Sequence, residues 1–484
     1  MSQTYRKPHF ADLTGRQAPA ASSPARFRTD AHLLRIMLLA AGWFMSCAAL
    51  ADSTFLVNTT ADVIDDNTDD GICHTSANTC SLRAAIMQAN HLIDGSVAIR
   101  LPAGIFLLTR PINGPDGEDN GDLNLTIPNI AGQFIAIIGA GSDLTFVDGN
   151  QIDGVFKIDP GRSAGIASLT VRNGLTQAGQ PGGGAILNHG SMIVVDCIIE
   201  NNGTNGRGGG IYNDFLLNVV SSSVVGNRAE QDGGGIYSAG TLVVSGSTIR
   251  VNIAASNSSQ GGGLYASGPT QIRSSTISLN LAANGGGVLT VDELTVVNST
   301  LSYNRAKSNG AGLFNFGHTF LYSSTIVGND ADYDEDFIGI GGGIFGDTTA
   351  GHRVVAVNTL IASNTLRTTT FYNDCNGVLE TYGFNRIGEP SGCTYAGNGA
   401  AAVGMVTRTT VGPLSDNGGP TQTNALLPGS QAIDSTTSQG CIDDTGALLT
   451  IDQRGAARVA GVRCDVGAYE YGAVIDRIFK TGFE

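Results

Sequence analysis

Between residues 160 and 370 the chain is written in short apolar runs of four to six residues, each closed by glycine, serine or asparagine. The stretch TLVVSGSTI at 241–249 is typical, with two β-branched clusters around a serine-glycine break. Runs of this kind predict strands, and none carries the i, i+3, i+4 spacing of helical repeats. Two markers recur along them. A glycine triplet followed by apolar residues ends at Gly184, Gly210, Gly235, Gly263, Gly287, Gly312 (as Gly-Ala-Gly) and Gly343, in steps of 26, 25, 28, 24, 25 and 31 residues. An element resembling S-T-I-x-x-N ends at Asn173, Asn201, Asn227, Asn252, Asn280, Asn304, Asn329 and Asn364, in steps of 28, 26, 25, 28, 24, 25 and 35. Two independent markers that keep one period define a structural repeat.

A repeat of this length, holding two or three short strands, lacks the L-x-x-L-x-L frame of leucine-rich repeats. It predicts an all-β, single-stranded parallel β-helix, one coil per repeat, with coils stacked about 4.8 Å apart. The glycines and asparagines are expected at corners that need positive φ. The asparagines are further expected to stack as a ladder. One segment departs from the pattern. Ser81 precedes Leu82, Ala85, Ile86 and Ala89, which predicts a short helix with Ser81 as N-cap and one apolar face. Because a solenoid exposes its bore and strand edges at its ends, this helix is expected to lid the first coil.

Upstream, Arg26, Arg28 and Arg35 flank the apolar run 33–51, which ends Ala49-Leu50-Ala51. Residues 1–51 therefore read as a signal peptide with an N-terminal extension, too short to span a membrane, and no transmembrane segment is expected after cleavage. Export makes disulfides the expected state of the cysteines. Spacing does not determine their connectivity; local closure, Cys73 with Cys80, Cys375 with Cys393 and Cys441 with Cys464, is the simplest choice. A zinc reading of these cysteines lacks a C-x-x-C or a nearby histidine pair. Cys197, in IVVDCIIEN, reads as a packed thiol on a strand. Residues 1–51 hold six basic and two acidic side chains, so the remainder carries 21 basic against 40 acidic residues. That balance argues against nucleic acid and anionic membranes as partners, and against calcium-free binding of polyanionic sugars.

The segments GRSAGIASLTVRNG, GGGIY and STIxxN resemble the right-handed parallel β-helix proteins of bacterial surfaces. VNTTADVIDDNTDDGIC…CSLRAAIMQAN resembles the CSLREA domain, and NDCNGVLETYGFNRIG, GPLSDNGGPTQTNALLPGSQAID and IDQRGAARVAGVRCDVGAYE resemble the choice-of-anchor Q domain. The resemblance implies a right-handed, pectin-lyase-like coil in a secreted or cell-surface protein of a Gram-negative bacterium. It also implies an order along the chain: a CSLREA-like cap at 52–94, coils at 95–372, and last coils with a disulfide at 373–410. A choice-of-anchor Q-like region follows at 411–472, then a GFE-type tail at 473–484. Ala84 stands where that family has glutamate, which removes half of a capping box. Asn424 stands where it usually has histidine, read as a solvent-facing turn position, and Gln431 and Ser435 interrupt its S-P-A-I-D-x-G.

Enzymes of this architecture need paired carboxylates, or a base beside calcium. Beyond residue 51 the lysines are Lys157, Lys307 and Lys480, and the motif set of polygalacturonases is missing. One constellation remains. His189 and Asp214 occupy the same place in successive coils and suit acid–base work, although later coils put Ala239, Ser267, Val291 and Phe316 there. The acidic stretches 62–71, 114–122 and 330–336 offer oxygen ligands for Ca²⁺ through Asp62, Asp65, Asp66, Asp69, Asp70, Asp330, Asp332 and Asp334, with solvated turns as the alternative. No cofactor is required. The expected function is a non-catalytic surface β-helix, an adhesin or a glycan-contacting protein, whose partners are polysaccharide or a host or neighbouring cell surface. The alternative is a polysaccharide lyase or glycoside hydrolase.

Overall fold

The computed structural model describes residues 51–475 apart from 93–94, 113–116, 127–132, 178, 347–350, 368–372, 399–402 and 407–409. Residues 1–50 of the signal segment and the tail DRIFKTGFE lie outside the described residues.

One coil shows how the sequence is spent. Ile211–Asn213 and Leu216–Val220 lie in a broad sheet of 22 strands, Ser223–Val225 in a second of 12, and Arg228–Ala229 in a third of eight. Each strand pairs in parallel with its counterpart one coil on: Ile211 with Ile236, Leu216 with Thr241, Ser223 with Thr248 and Arg228 with Ile253. The fold is a parallel β-helix. Within the coil, Ile211, Leu217, Val219 and Val224 point into the bore and are fully buried. They belong to one apolar core that runs from Phe55 to Ile387.

The S-T-I-x-x-N element assigns each of its letters a place. The serine follows a positive-φ residue at the corner between the broad and second sheets, as in Ser274-Ser275 (φ 46°) and Ser323-Ser324 (φ 45°). Serines of successive coils form a ladder in which the backbone N–H of Ser222 donates to Ser247 Oγ at 3.0 Å and that of Ser247 to Ser275 Oγ at 3.1 Å. The threonine faces out and the isoleucine faces in, with Ile249, Ile277 and Ile326 fully buried. The asparagine begins the turn into the third sheet and stacks on the next coil. Asn280 Oδ1 accepts from both the backbone N–H (2.9 Å) and Nδ2 (3.0 Å) of Asn252, while Asn280 Nδ2 donates to Ile249 O at 3.0 Å.

The structure corrects the expected register of this ladder. Positive φ falls on the residue before the asparagine, at Val251 (59°), Leu279 (58°) and Tyr303 (56°), and not on Asn252, Asn280 or Asn304. Asn173 (φ 56°) and Asn201 (φ 55°) occupy that corner position themselves and are not rungs. The first rung is Asn202, which donates to Asn227 Oδ1, and Asp374 ends the ladder by accepting from Asn364. Both sequence markers take a step of 26 here, whereas the strands step by 25, from Ile186 to Ile211. The asparagine marker slips by one residue because asparagine suits either the corner or the rung, and the glycine marker because Ala185, whose N–H donates to Gly210 O at 2.9 Å, takes the place of the third glycine.

The glycine triplets complete the same device. Their first glycine takes positive φ, as at Gly233 (70°) and Gly261 (66°). Their third lies under the asparagines: a Cβ on Gly263 would stand 2.7 Å from Gly287 O and 2.8 Å from Asn280 Nδ2. Cys197 sits at a corner rather than within a strand and starts the serine ladder, its N–H donating to Ser222 Oγ at 3.0 Å. Burial pushes its thiol up to about 12, so it serves as an inert stand-in for serine.

Both ends depart from the repeat. At the N-terminus the helix Leu82–His91 is capped by Ser81, whose side chain accepts the Ala84 N–H at 3.0 Å. Leu82, Ala85, Ile86 and Ala89 join the core at the mouth of the bore, after the Cys73–Cys80 disulfide. At the other end residues 411–475 do not extend the solenoid. After an antiparallel hairpin, Val411–Ser415 with Thr423–Leu426, they run back over the second sheet as a strap. The outward threonines of three successive coils hold it: Thr276 donates to Gln422 O, Thr300 to Gln453 Oε1 at 2.6 Å, and Thr325 Oγ1 accepts the Ala468 N–H at 2.9 Å. Asn424, on the second strand of this hairpin, is buried, not solvent-facing, and donates across it to Gly412 O at 3.0 Å. The disulfides Cys375–Cys393 and Cys441–Cys464 close the last coils and the strap.

Inside the strap Arg458 donates to Asn298 Oδ1, Ser323 O and Gly467 O and faces Glu470 at 3.9 Å. Asp452, Arg454 and Asp465 complete this buried charged group. Burial pushes Glu470 up to about 7 and Asp465 up to about 6.

Two outcomes follow from these contacts. Asn280→Ala removes both bonds to Asn252 and leaves buried donors unsatisfied, so thermal and urea unfolding should show a loss of about 3 kcal/mol. Glu470 holds a proton in the fold that the unfolded chain releases above its ordinary 4.5, so its contribution is present at low pH and lost as pH rises through about 7. Glu470→Gln, neutral throughout, should therefore gain melting temperature relative to the parent as pH goes from about 5 to 8. Parallel melting curves for the two proteins over that range would contradict this.

Candidate functional site

In each three-residue strand of the broad sheet the outer residues face the bore and the middle one faces out. Parallel register therefore lines up Leu187, Tyr212, Tyr237, Tyr265, Leu289 and Phe314 on the outward face of the sheet, where Tyr212 and Tyr265 stay partly exposed and the other four are covered. Tyr212 and Tyr237 stack at 5.1 Å between ring centroids, as do Tyr237 and Tyr265. Arg207 lies over the Tyr237 ring at 5.0 Å, donates to its hydroxyl at 3.2 Å, and stands 3.5 Å from Asp232. Burial raises the pKa of both Tyr212 and Tyr265, with Asp214 and Asp232 respectively as the nearest carboxylates adding to it. Asp232 is itself raised by burial.

His189 and Asp214 meet at the edge of this row. Nδ1 lies 2.6 Å from Asp214 Oδ2, both side chains are partly open to solvent, and the imidazole stands edge-on to Tyr212 at 6.1 Å. With the Nδ1 proton donated to the carboxylate, Nε2 keeps the lone pair, which is the arrangement of an acid–base dyad. The tyrosines were written in the sequence as GGGIY, GGGIY and GGGLY, where they read only as part of an apolar run. Strand alternation after the triplet was the signal that places them outside.

The acidic stretches separate into different roles. Asp62 is not available as a metal ligand. It pairs with Arg83 at 2.6 Å and accepts the backbone N–H groups of Thr109 and Arg110. Arg83, fully buried on the cap helix, spends its other donors on the carbonyls of Glu118, Gly121 and Asp122. One arginine thus fastens two acidic loops to the lid. Asp65 is buried and its oxygens accept the Asn67 and His74 N–H groups at 2.9 and 3.2 Å. Asp66 and Asp70 flank His74, while Asp69 is exposed at the loop tip.

In the third stretch Asp330 accepts from Thr365 Oγ1 at 2.8 Å and faces Arg367 at 3.7 Å, apart from the other carboxylates. Asp332 and Asp334 instead converge with Asp336, their oxygens within 4.8 Å of one another. Asp336, which the sequence reading did not single out, takes the place beside them that it gave to Asp330, where a positive φ at Asp332 (56°) turns the chain.

No protein-family model, curated protein or solved structure matches the chain.

Arg83→Met should be the most damaging change in the cap. It strands the buried Asp62 carboxylate and three carbonyls at a cost of about 3–5 kcal/mol. Limited proteolysis of the variant is expected to cut within 62–71 and 117–122. A variant no less stable than Cys80→Ser, and equally protease-resistant, would assign the lid to the disulfide instead.

Proposed function

We propose that this is an exported, surface-exposed and non-catalytic β-helix that contacts glycans, an adhesin-type protein of a bacterial surface. The observation that carries the reading is the in-register row Tyr212, Tyr237 and Tyr265 with Arg207, Asp232, His189 and Asp214 beside it. The partly exposed rings of Tyr212 and Tyr265, two coils apart with Tyr237 packed between them and charged groups alongside, suit a linear chain of polar rings such as a polysaccharide. The excess of acidic residues favours neutral over polyanionic sugars. Export rests on the arginine-flanked apolar run, and surface location on the resemblance of the two ends to CSLREA and choice-of-anchor Q domains. The reading asks for no cofactor, so chelation of Ca²⁺ should leave glycan binding unchanged.

A second reading, a polysaccharide-active enzyme, is favoured by one observation, the 2.6 Å contact that orients His189 on Asp214. A panel of neutral and acidic polysaccharides separates the two. Retention without cleavage, weakened at least tenfold in Tyr212→Ala or Arg207→Gln, is expected, a loss of about 1.4 kcal/mol or more. Release of reducing or unsaturated ends that disappears in His189→Ala and Asp214→Asn would replace the adhesin with the enzyme.

A further inference from the structure

We propose that the loop before the lid is a binding site for a single nitrogen-preferring divalent cation of the zinc type, held by Asp65, Asp66 and His74 and oriented by Asp70. A ligand atom of each of the first three lies within 4.8 Å of the others. Their backbone is already tied together: the Asp66 N–H donates to His74 O at 3.1 Å and the His74 N–H to Asp65 Oδ2 at 3.2 Å. The adjoining Cys73–Cys80 disulfide anchors the histidine's neighbour. Donors held in this way need little reorganisation to close on an ion.

The histidine shows what the loop is shaped for. Asp70 Oδ2 stands 3.2 Å from Nε2 and can accept its proton when Nδ1 is turned to an ion. Nδ1, on the opposite edge, is withdrawn from solvent, lacks a hydrogen-bond partner of proper geometry, and lies against the Asp66 carboxylate with Asp65 alongside. A lone pair facing two carboxylates is repulsive unless a positive charge stands between them. A metal ion supplies that charge. Carboxylate behind, imidazole between and metal in front is the arrangement in which an outer carboxylate sets the tautomer of a metal-binding histidine.

The donor set selects the ion. Ca²⁺ takes six to eight oxygens, whereas this loop offers an imidazole nitrogen and two carboxylates, and Asp65 already accepts two N–H groups. Two carboxylates and a histidine, with a fourth position for water, match the preferences of zinc. The ion would also act on the lid, because Gln88 of the cap helix donates to Thr68 O within this loop at 2.9 Å. Binding to the folded loop alone stabilises the lid by mass action.

The test uses the tag-free exported chain. Titration with Zn²⁺ by calorimetry, and with Co²⁺ by visible absorption, is expected to show one ion per chain, unaffected by excess Ca²⁺. Zn²⁺ should raise the melting temperature of the parent and not of His74→Gln. His74→Gln and Asp66→Asn should weaken binding at least tenfold, and Asp70→Asn by a smaller factor. Should a variant fail to fold, the Nδ1 resonance of His74 in the parent serves instead and should move on addition of Zn²⁺. Absence of binding, a Ca²⁺ preference, unchanged affinity in His74→Gln, or an unmoved Nδ1 resonance would each overturn the proposal.

Discussion

The contact between a glycine without a side chain and an asparagine amide sets the shape of the coils between Asn202 and Asp374. The ladder asparagine must reach the amide of the coil below and a carbonyl across the turn, and it does so through the space that a Cβ on the third glycine would fill. Side chain and missing side chain are two halves of one contact. The same need for close approach keeps backbones in register coil after coil, which in turn delivers the inward isoleucines and outward threonines to fixed rows. Loop length is free to vary outside it, so the step grows from 25 residues to 28 between Ile236 and Leu264 without disturbing the ladders.

The solenoid was legible because its determinants are local and repeated: Gly, Ser and Asn mark positions where backbone geometry admits few alternatives. What was not legible depended on side chains meeting across sequence distance. The slip at Asn173 and Asn201 arose because asparagine satisfies both the positive-φ corner and the neighbouring rung, and only the pairing of Asn202 with Asn227 separates them. Asn424 could not be read as buried, since its burial comes from a strap whose docking no periodicity announces. The candidate glycan row was half visible. The dyad of His189 and Asp214 was readable from equal position in two coils, while Arg207, at the variable position just before a glycine triplet, reaches a tyrosine of the next coil that no spacing announces. Asp62 read as one acid among several because its partner, Arg83, lies 21 residues on.

Among the described residues Arg83 and Arg458 are the two largest fully buried side chains, and each fastens a segment that lies outside the repeat. Irregular loops leave carbonyls that no ladder can satisfy. A guanidinium supplies several donors in one plane and can collect such carbonyls from different turns. The solenoid therefore relies on short side chains repeated many times, and its non-repetitive segments on single long ones.

The strap alters how this solenoid would come apart. An array of coils that touch only their neighbours frays from an open end, one unit at a time, like a spring uncoiling. Here a single segment is bound to the coils of Thr276, Thr300 and Thr325 at once. Tension along the axis loads those coils together, and none of them can peel away before the segment releases. The strap thus acts as a splint, giving a one-dimensional stack the mechanical cooperativity of a globular body.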